Sequence, residues 1–330
     1  ISVNCHGWQH DRPPIASSVN ALRLMKADGK IVRCSRDENA ELFSLVLGGY
    51  GLFGIILDVE LRVVPNRCYR LTQTIIPVDA ALDAYQQAMQ KDGIEMVYAR
   101  MNIARDHLLE DVILNVLTVE PDEKIPELKE KGLVKLRRAI FRGSVESDYG
   151  KELRWKAETK LQPQLSGKLF SRNQMLNEGV EIFQNRTADS TDILHEYFVP
   201  TANVAEFVAD VRRLVRDHDV NLLNVTVRQV KRDTDTFLRY ADQEMFAFVM
   251  LYNQQRDSAG ETSMRNFTRA MIDAALDAQG RYYLPYRLHA TKQQFLKAYP
   301  QATEFFKKKL DYDPDQLFQN RFYVKYAIED

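Results

Sequence analysis

Twice along this chain the same order of patterns recurs: a strand, an amphipathic helix, then two more strands. The first set reads as strand 71–76, helix 78–91 and strands 95–103 and 111–119. The second reads as strand 192–199, helix 202–217 and strands 222–230 and 244–252. The helical stretches carry a 3.6-residue apolar period, whereas the strands are short runs rich in β-branched residues. In the second helix Val204, Phe207, Val208, Val211, Leu214 and Val215 form one wide apolar stripe, which must be covered by another layer. Two such units predict an α+β architecture, one antiparallel sheet with helices on a single face. No sequence identity between the halves is evident, so the repetition is topological.

The first 70 residues have a different texture. "LGGYGLFGIILDVELRVV", residues 47–64, contains Gly49-x-Gly51-x-x-Gly54. That spacing marks a nicotinamide-dinucleotide site only when a strand precedes the glycines and a helix follows. Here Ser35-x-x-Glu38 reads as a capping box opening a helix, with Leu42, Leu45 and Val46 on one face and Gly48-Gly49 as its stop. After the glycines, Ile55, Leu57, Val59, Leu61 and Val63 alternate with Ile56, Asp58, Glu60, Arg62 and Val64, and Pro65 ends the strand. The order helix–glycines–strand excludes the nicotinamide reading. Such glycines serve either a corner in the chain or a backbone that approaches a ligand closely. Upstream, strand 19–25 turns at Asp28-Gly29, expected to supply the positive φ angles of a tight hairpin. The opening "ISVNCHGWQH" reads as a strand already under way that ends at His6-Gly7, with Trp8 as packing. It has no initiator Met and no signal sequence, which predicts an upstream part not included here.

A chain of 330 residues can bury a large core and divide into two domains. Its net charge of −1 gives no general attraction to nucleic acid or membranes, and no apolar run is long enough to span a bilayer. Cys5, Cys34 and Cys68 lack CxxC spacing, which points away from zinc or a disulfide framework and toward a reducing, cytoplasmic setting. His195-Glu196 has no partner at metal-ligand spacing, and no nucleophile elbow, P-loop or basic–aromatic platform is present. The intervening region 121–190 reads as helical and charged. Lys129, Lys131, Lys135, Arg137, Arg138 and Arg142 form a basic stretch interrupted by Glu127 and Glu130, a solvated face or a membrane-surface site. Helices near 262–279 and 292–309 and an irregular tail complete the chain.

Three stretches carry a resemblance: "VNCHGWQ", "ALRLMKADGKIVRCSRDENAELFSLVLGGYGLFGIILDVELRVVPN" and "AYPQATEFFKKKLDYDPDQLFQN". Together they resemble the FAD-binding vanillyl-alcohol oxidase/p-cresol methylhydroxylase (PCMH) family, closest to its sugar-oxidising branch of alditol oxidases, aldonolactone oxidases and decaprenylphosphoryl-ribose oxidase. The match is specific at both ends and loose in the middle. It implies the second part of a PCMH-type FAD-binding domain in residues 1–70 and a substrate (cap) domain in 71–290. Residues 291–330 would form a C-terminal helix and tail returning toward the FAD domain. The glycine-rich pyrophosphate loop, and any covalent link to the flavin, would precede residue 1. The resemblance also implies that Gly49, Gly51, Gly54 and Ile55 line FAD, that His6 lies beside the flavin ring and substrate, and that Gly7 allows close backbone approach.

Oxidation of a C–OH group by hydride transfer to FAD requires a proton acceptor and groups that stabilise charge at the oxygen. Leu194, Glu196 and Phe198 share a face, and a carboxylate in an apolar row is costly unless paired or functional. Asn224, Thr226 and Arg228 share a face of what reads as a neighbouring strand. A Glu196–Arg228 pair pointing to the flavin is therefore expected, against the alternative that both faces look at solvent. The sugar-oxidising relatives often carry Glu-x-Arg here; Arg228 fits, but Thr226 stands where Glu would be. Counting back from Tyr299 places Tyr286 where those relatives carry Lys, with Arg287 and His289 as reserves facing the opposite side of a strand. The candidate catalytic set is Glu196, Arg228, Tyr286 and His6. The expected reaction is FAD-dependent oxidation of a sugar, polyol or lactone-like small molecule, with oxygen, a quinone or a protein as acceptor. A flavin-dependent C=C reductase, or a flavin-free binding or assembly module, is the alternative, and a membrane or lipid-linked substrate stays open.

Overall fold

The computed structural model describes residues 1–129, 132, 134–177 and 179–328, with residues 161–163 described by their backbone alone. Glu130 and Lys131 of the basic stretch thus lie outside the described residues. Strands β1 (Val19–Met25), β2 (Ile31–Ser35) and β3 (Ile55–Leu61) form an antiparallel sheet in the order β2-β1-β3, with helix α1 (Ala40–Val46) between β2 and β3. In the β1–β2 hairpin only Gly29 takes a positive φ, +76°. Asp28 contributes its carboxylate instead, accepting from the Lys30 N–H at 3.1 Å.

Two local readings are corrected here. The Ser35 hydroxyl does accept from the Asp37 and Glu38 N–H groups, but α1 starts later, behind Asn39 in the left-handed region at φ +50°. The Glu38 carboxylate pairs with Arg33 rather than returning to Ser35, so the motif is a turn before the helix and not a capping box. The first residues form no strand. Asn4 turns at φ +49°, a backbone angle no strand accommodates, and only Gln9 makes an isolated bridge, to Met96.

The two repeated units are present with their predicted order: β4 (Cys68–Pro77), α2 (Val78–Met89), β5 (Ile94–Met101) and β6 (Asp111–Val119) form the first. An excursion follows, comprising α3 (Val134–Arg142), α4 (Asp148–Leu165), β7 (Leu169–Ser171) and α5 (Arg172–Leu176). The second unit is β8 (Ser190–Pro200), α6 (Val204–Asp217), β9 (Asn221–Val230) and β10 (Met245–Gln255). After it come α7 (Ser258–Asp277), β11 (Arg281–Tyr282), α8 (Lys292–Ala298) and α9 (Ala302–Tyr312). All the larger strands join one antiparallel sheet in the order β11-β8-β10-β9-β5-β6-β4-β7. Within each unit the third strand lies between the first and second, and the units meet at β5 and β9 through the pairs Ala99–Val227 and Arg100–Thr226. Strands of two and three residues end the sheet, pairing only Tyr197–Phe198 of β8 and Cys68–Arg70 of β4.

Helices α2 and α6 cover one face. Tyr85 packs edge-on against Phe246 and Phe207 against Phe248, and five of the six residues in the predicted α6 stripe are buried. Each such side chain stabilises by about 2 kcal/mol when fully buried. In the excursion, Arg138 donates to the Glu181 carbonyl at 2.6 Å and Arg142 pairs with Asp192, so two of the basic residues tie α3 to the body. Among the described residues no helix is long and apolar enough to cross a membrane.

The predicted helix 292–309 is two helices, α8 and α9, broken at Tyr299-Pro300, where the proline cannot donate to the helical ladder. This end of the chain returns to the first sheet. Phe53 packs edge-on against Phe305 and Tyr312, Lys308 and Tyr312 both reach Glu41, and Asn320 donates to the Tyr50 carbonyl at 2.8 Å.

Candidate active site

The segment leading to His6 is irregular and is held by three side chains distant in sequence. Asn4 donates to Asp233 at 2.9 Å and accepts from the Ala16 N–H at 3.0 Å. The Tyr240 hydroxyl donates to the Asn4 carbonyl and the Tyr283 hydroxyl to the Val3 carbonyl, both at 2.7 Å. His6 is thereby seated edge-on against Phe198, ring centres 5.5 Å apart, with Tyr240 stacked on Phe198 at 4.2 Å.

Glu196 lies on the sheet face opposite α2 and α6, 4% exposed. One carboxylate oxygen meets His6 Nε2, and the other accepts from the Tyr286 hydroxyl at 3.2 Å. Arg228 Nη1 reaches the His6 carbonyl at 3.5 Å. All four candidate catalytic residues therefore converge, although they come from positions 6, 196, 228 and 286. The predicted direct Glu196–Arg228 pair is corrected: β10 lies between β8 and β9, with Val249 opposite both Glu196 and Thr226. Two strand spacings separate the backbones by about 10 Å, and His6 fills the gap. Glu196 and Phe198 are buried and Arg228 is half-buried, while Leu194 at the other end of the row is exposed.

Burial pushes the Glu196 carboxyl up, but the His6 ring, its hydrogen bond, the Arg228 charge and the Tyr286 hydrogen bond hold it below its ordinary value. Tyr286 is raised far above the usual phenol range, first by burial and then by the Glu196 charge, so it acts as a donor and keeps its proton. A carboxylate can only accept, so the His6–Glu196 hydrogen bond has Nε2 as its donor and leaves Nδ1 as the ring's other hydrogen-bonding position. Among the described residues, His6 Nδ1 and Arg228 Nε are buried without a hydrogen-bond partner. Two desolvated, unsatisfied nitrogens in one cluster are the mark of a site that completes its bonding with something else.

The glycines divide. A Cβ on Gly49 would lie 1.9 Å from the Leu45 carbonyl oxygen, and one on Gly54 (φ +148°) would lie 2.5 Å from that of Met25. These two are demanded by the corner itself. Gly51 needs glycine only for its φ of +76°; nothing lies within 4 Å of its missing Cβ. Ile55 begins β3 with its side chain half out of the fold, 48% exposed. His6 and Gly7 line a cavity of about 570 Å³, together with Arg12, Leu61 and Pro65. Tyr50, from the glycine turn, lines another of about 840 Å³ with Tyr286. Gly49, Gly51, Gly54 and Ile55 line neither. The reserve residues Arg287 and His289 lie in a turn rather than a strand, so they share that second cavity with Tyr286 instead of facing away.

Tyr240, Tyr283 and Asp233, which fix the His6 segment, escaped the sequence reading. The signal for Tyr283 was its place three residues before Tyr286; nothing local marks Asp233. Trp8 stacks on Tyr98 with centres 4.6 Å apart, consistent with packing.

Comparison with known proteins follows the same lines. A family model described as D-arabinono-1,4-lactone oxidase matches residues 59–326. Over 82 residues the chain is 33% identical to a D-arabinono-1,4-lactone oxidase of Debaryomyces hansenii, covering 25% of this chain and 15% of that protein. Over 63 residues it is 41% identical to an L-gulonolactone oxidase of Mus musculus, 19% of this chain and 14% of that protein. Over 128 residues it is 27% identical to the monolignol oxidoreductase AtBBE-like 13 of Arabidopsis thaliana, 39% of this chain and 22% of that protein. The chain thus spans less than a quarter of the length of each of these relatives.

Proposed function

The chain belongs to the D-arabinono-1,4-lactone oxidase family, and from that premise we propose that it is part of an FAD-dependent oxidoreductase acting on a C–OH group of a lactone, sugar or polyol. The observation that carries the reading is the convergence of His6, Glu196, Arg228 and Tyr286, with two buried nitrogens left unsatisfied among the described residues. The residues present fit the cofactor. The unsatisfied Nδ1 lies on the residue assigned beside the ring, Gly7 borders the same cavity, and Gly51 offers backbone free of any side chain at a turn. Residues 1–70 and 291–330 would form the FAD side and 71–290 the cap.

When bound, FAD supplies the acceptor for the hydride leaving the carbinol carbon. The chain's own groups handle the proton. His6 Nδ1 takes the hydroxyl proton as the C=O bond forms, and Glu196 stabilises the resulting imidazolium through Nε2. Arg228 supplies positive charge beside the cluster, and Tyr286, by donating to Glu196, keeps that carboxylate oriented and unprotonated.

The test is the visible spectrum of the protein expressed from its complete reading frame, recorded anaerobically with D-arabinono-1,4-lactone, L-gulono-1,4-lactone, sugars and polyols. Bleaching of a flavin band by the lactones is expected. A flavin that nothing bleaches would remove the substrate class, and a protein that neither carries nor takes up FAD would remove the enzyme reading.

A further inference from the structure

The cavity of about 840 Å³ beside Tyr286 has a lining whose charge the proton-handling cluster does not use. Its walls are α7, the turn at 284–289 and the segment 320–325. They bring Arg265, Arg269, Arg287 and Arg321 to one space, against one carboxylate among the described residues, Glu261; Lys325 on the same lining is already tied to the Leu288 carbonyl. The chain as a whole carries a net charge of −1, so this concentration of cations is local.

Glu261 does not balance the group. It is already engaged by Arg287, by His289 Nε2 at 2.9 Å and by Gln254 at 3.1 Å, and Arg265 approaches it only to 3.8 Å. Arg269 is anchored by its Nε, which donates to the His289 carbonyl at 2.9 Å. Arg321 has no side-chain partner among the described residues, and it lines the same cavity. Several guanidinium forks around one small space suit a tetrahedral oxyanion, which they bind with charge-assisted and bidentate hydrogen bonds. The volume is that of a small-molecule site.

We propose that this cavity is a subsite for a phosphoryl group carried by the substrate. The assignment rests on the oxidase reading for its placement: Tyr286 lines the cavity and also donates to Glu196, so a phosphate held by Arg265, Arg269 and Arg321 leaves the attached sugar or lactone toward His6. The specificity of the enzyme is then for a phosphorylated polyhydroxy compound over its neutral parent.

Binding, read without turnover, tests this separately from oxidation. The flavin-loaded full-length protein is titrated calorimetrically with D-ribose 5-phosphate, its methyl phosphodiester and D-ribose. The phosphorylated sugar should bind at least about tenfold more tightly than ribose, and the preference should shrink as salt is raised. The exposed pair Arg265→Gln/Arg321→Gln should remove most of that preference while leaving the melting temperature unchanged. A preference kept by the diester identifies a phosphodiester substrate, and one confined to the monoester a terminal phosphate; both support the subsite. Equal binding of ribose and its phosphate, or a preference that survives the double substitution, overturns it. Release of flavin on adding inorganic pyrophosphate also overturns it, because the cations would then serve the cofactor. Failure of lactones to bleach the flavin would strike the oxidase reading and leave these affinities untouched.

Discussion

Glu196 is a buried carboxylate kept charged by three neighbours, so exchanging it tests the proton path directly. Glu196→Gln cannot hold His6 as an imidazolium, and flavin bleaching by substrate should slow about 100-fold, whereas Tyr286→Phe should slow it much less. Stopped-flow absorbance reads both. Because folding lowers the carboxyl below its unfolded value, its contribution to stability is present above the ordinary carboxylate range and lost as pH falls through the folded value. The glycines make a second contrast. Gly49→Ala forces a Cβ onto the Leu45 carbonyl and should cost about 2 kcal/mol of stability in a denaturant melt. Gly51→Ala meets no atom and should cost about 1 kcal/mol through its φ alone; a larger drop in flavin content than in stability would mark it as cofactor backbone. Glu196 was legible in the sequence because its apolar neighbours Leu194 and Phe198 made a charge conspicuous. Its partner was not: alternation says which face a residue takes, but not which strand intervenes, and so His6 rather than Arg228 proved to be the contact.

At the scale of elements, the clearest device is the tail after α9. Lys309 and Asp313 form a fully buried ion pair, and Asp313 also accepts from the Leu317 and Phe318 N–H groups at 2.9 and 2.8 Å. Lys309→Met leaves that carboxylate buried without its cation and should lower stability by about 3 kcal/mol, seen as an earlier denaturant midpoint. A second device links β8, α7 and the turn that carries Tyr286. His195 lies 3.3 Å from the Thr268 hydroxyl, which lies 2.9 Å from His289, which in turn meets Glu261. Burial, then the charges of His289 and Arg287, hold His195 down to about 3. The unfolded chain takes up a proton there as pH falls below its ordinary value, and the native protein does not, so stability drops between about pH 6.5 and 3, on the order of 5 kcal/mol in all. Melting temperature against pH should show that slope, and His195→Gln should flatten it. Element types and most boundaries were legible from periodicity and from proline. The capping box was not, because Arg36, drawn to the Val19 carbonyl and Asp235, pulls residues 36–39 into a loop that no local rule anticipates.

For the whole molecule, the order of strands within each unit predicted one antiparallel sheet, and one sheet is what the units build. How they join was not written in either half, since the β5–β9 contact pairs residues more than a hundred apart. That junction sets β9 and β5 in the middle of the order and β7 and β11 at its ends, so hydrogen exchange should release the amides of β7 and β11 first and those of β10, paired along both of its sides, last. One row crosses six strands through the junction: Glu196, Val249, Thr226, Arg100, Ile113 and Ile75. Taken from its two ends, the row sets Ile75 in the place that Glu196 holds in the other unit, and Arg100 in the place of Thr226. The first unit's Arg100 pairs with Glu158 of α4 at 3.0 Å, and Arg154 of the same helix donates to the Leu223 carbonyl at 2.8 Å. A twofold frame provides two equivalent seats for one chemistry, and here an inserted helix has roofed over the first. The open seat keeps its carboxylate and the covered one carries an apolar residue, so a substitution at Ile75 should leave the Glu196 cluster as it is.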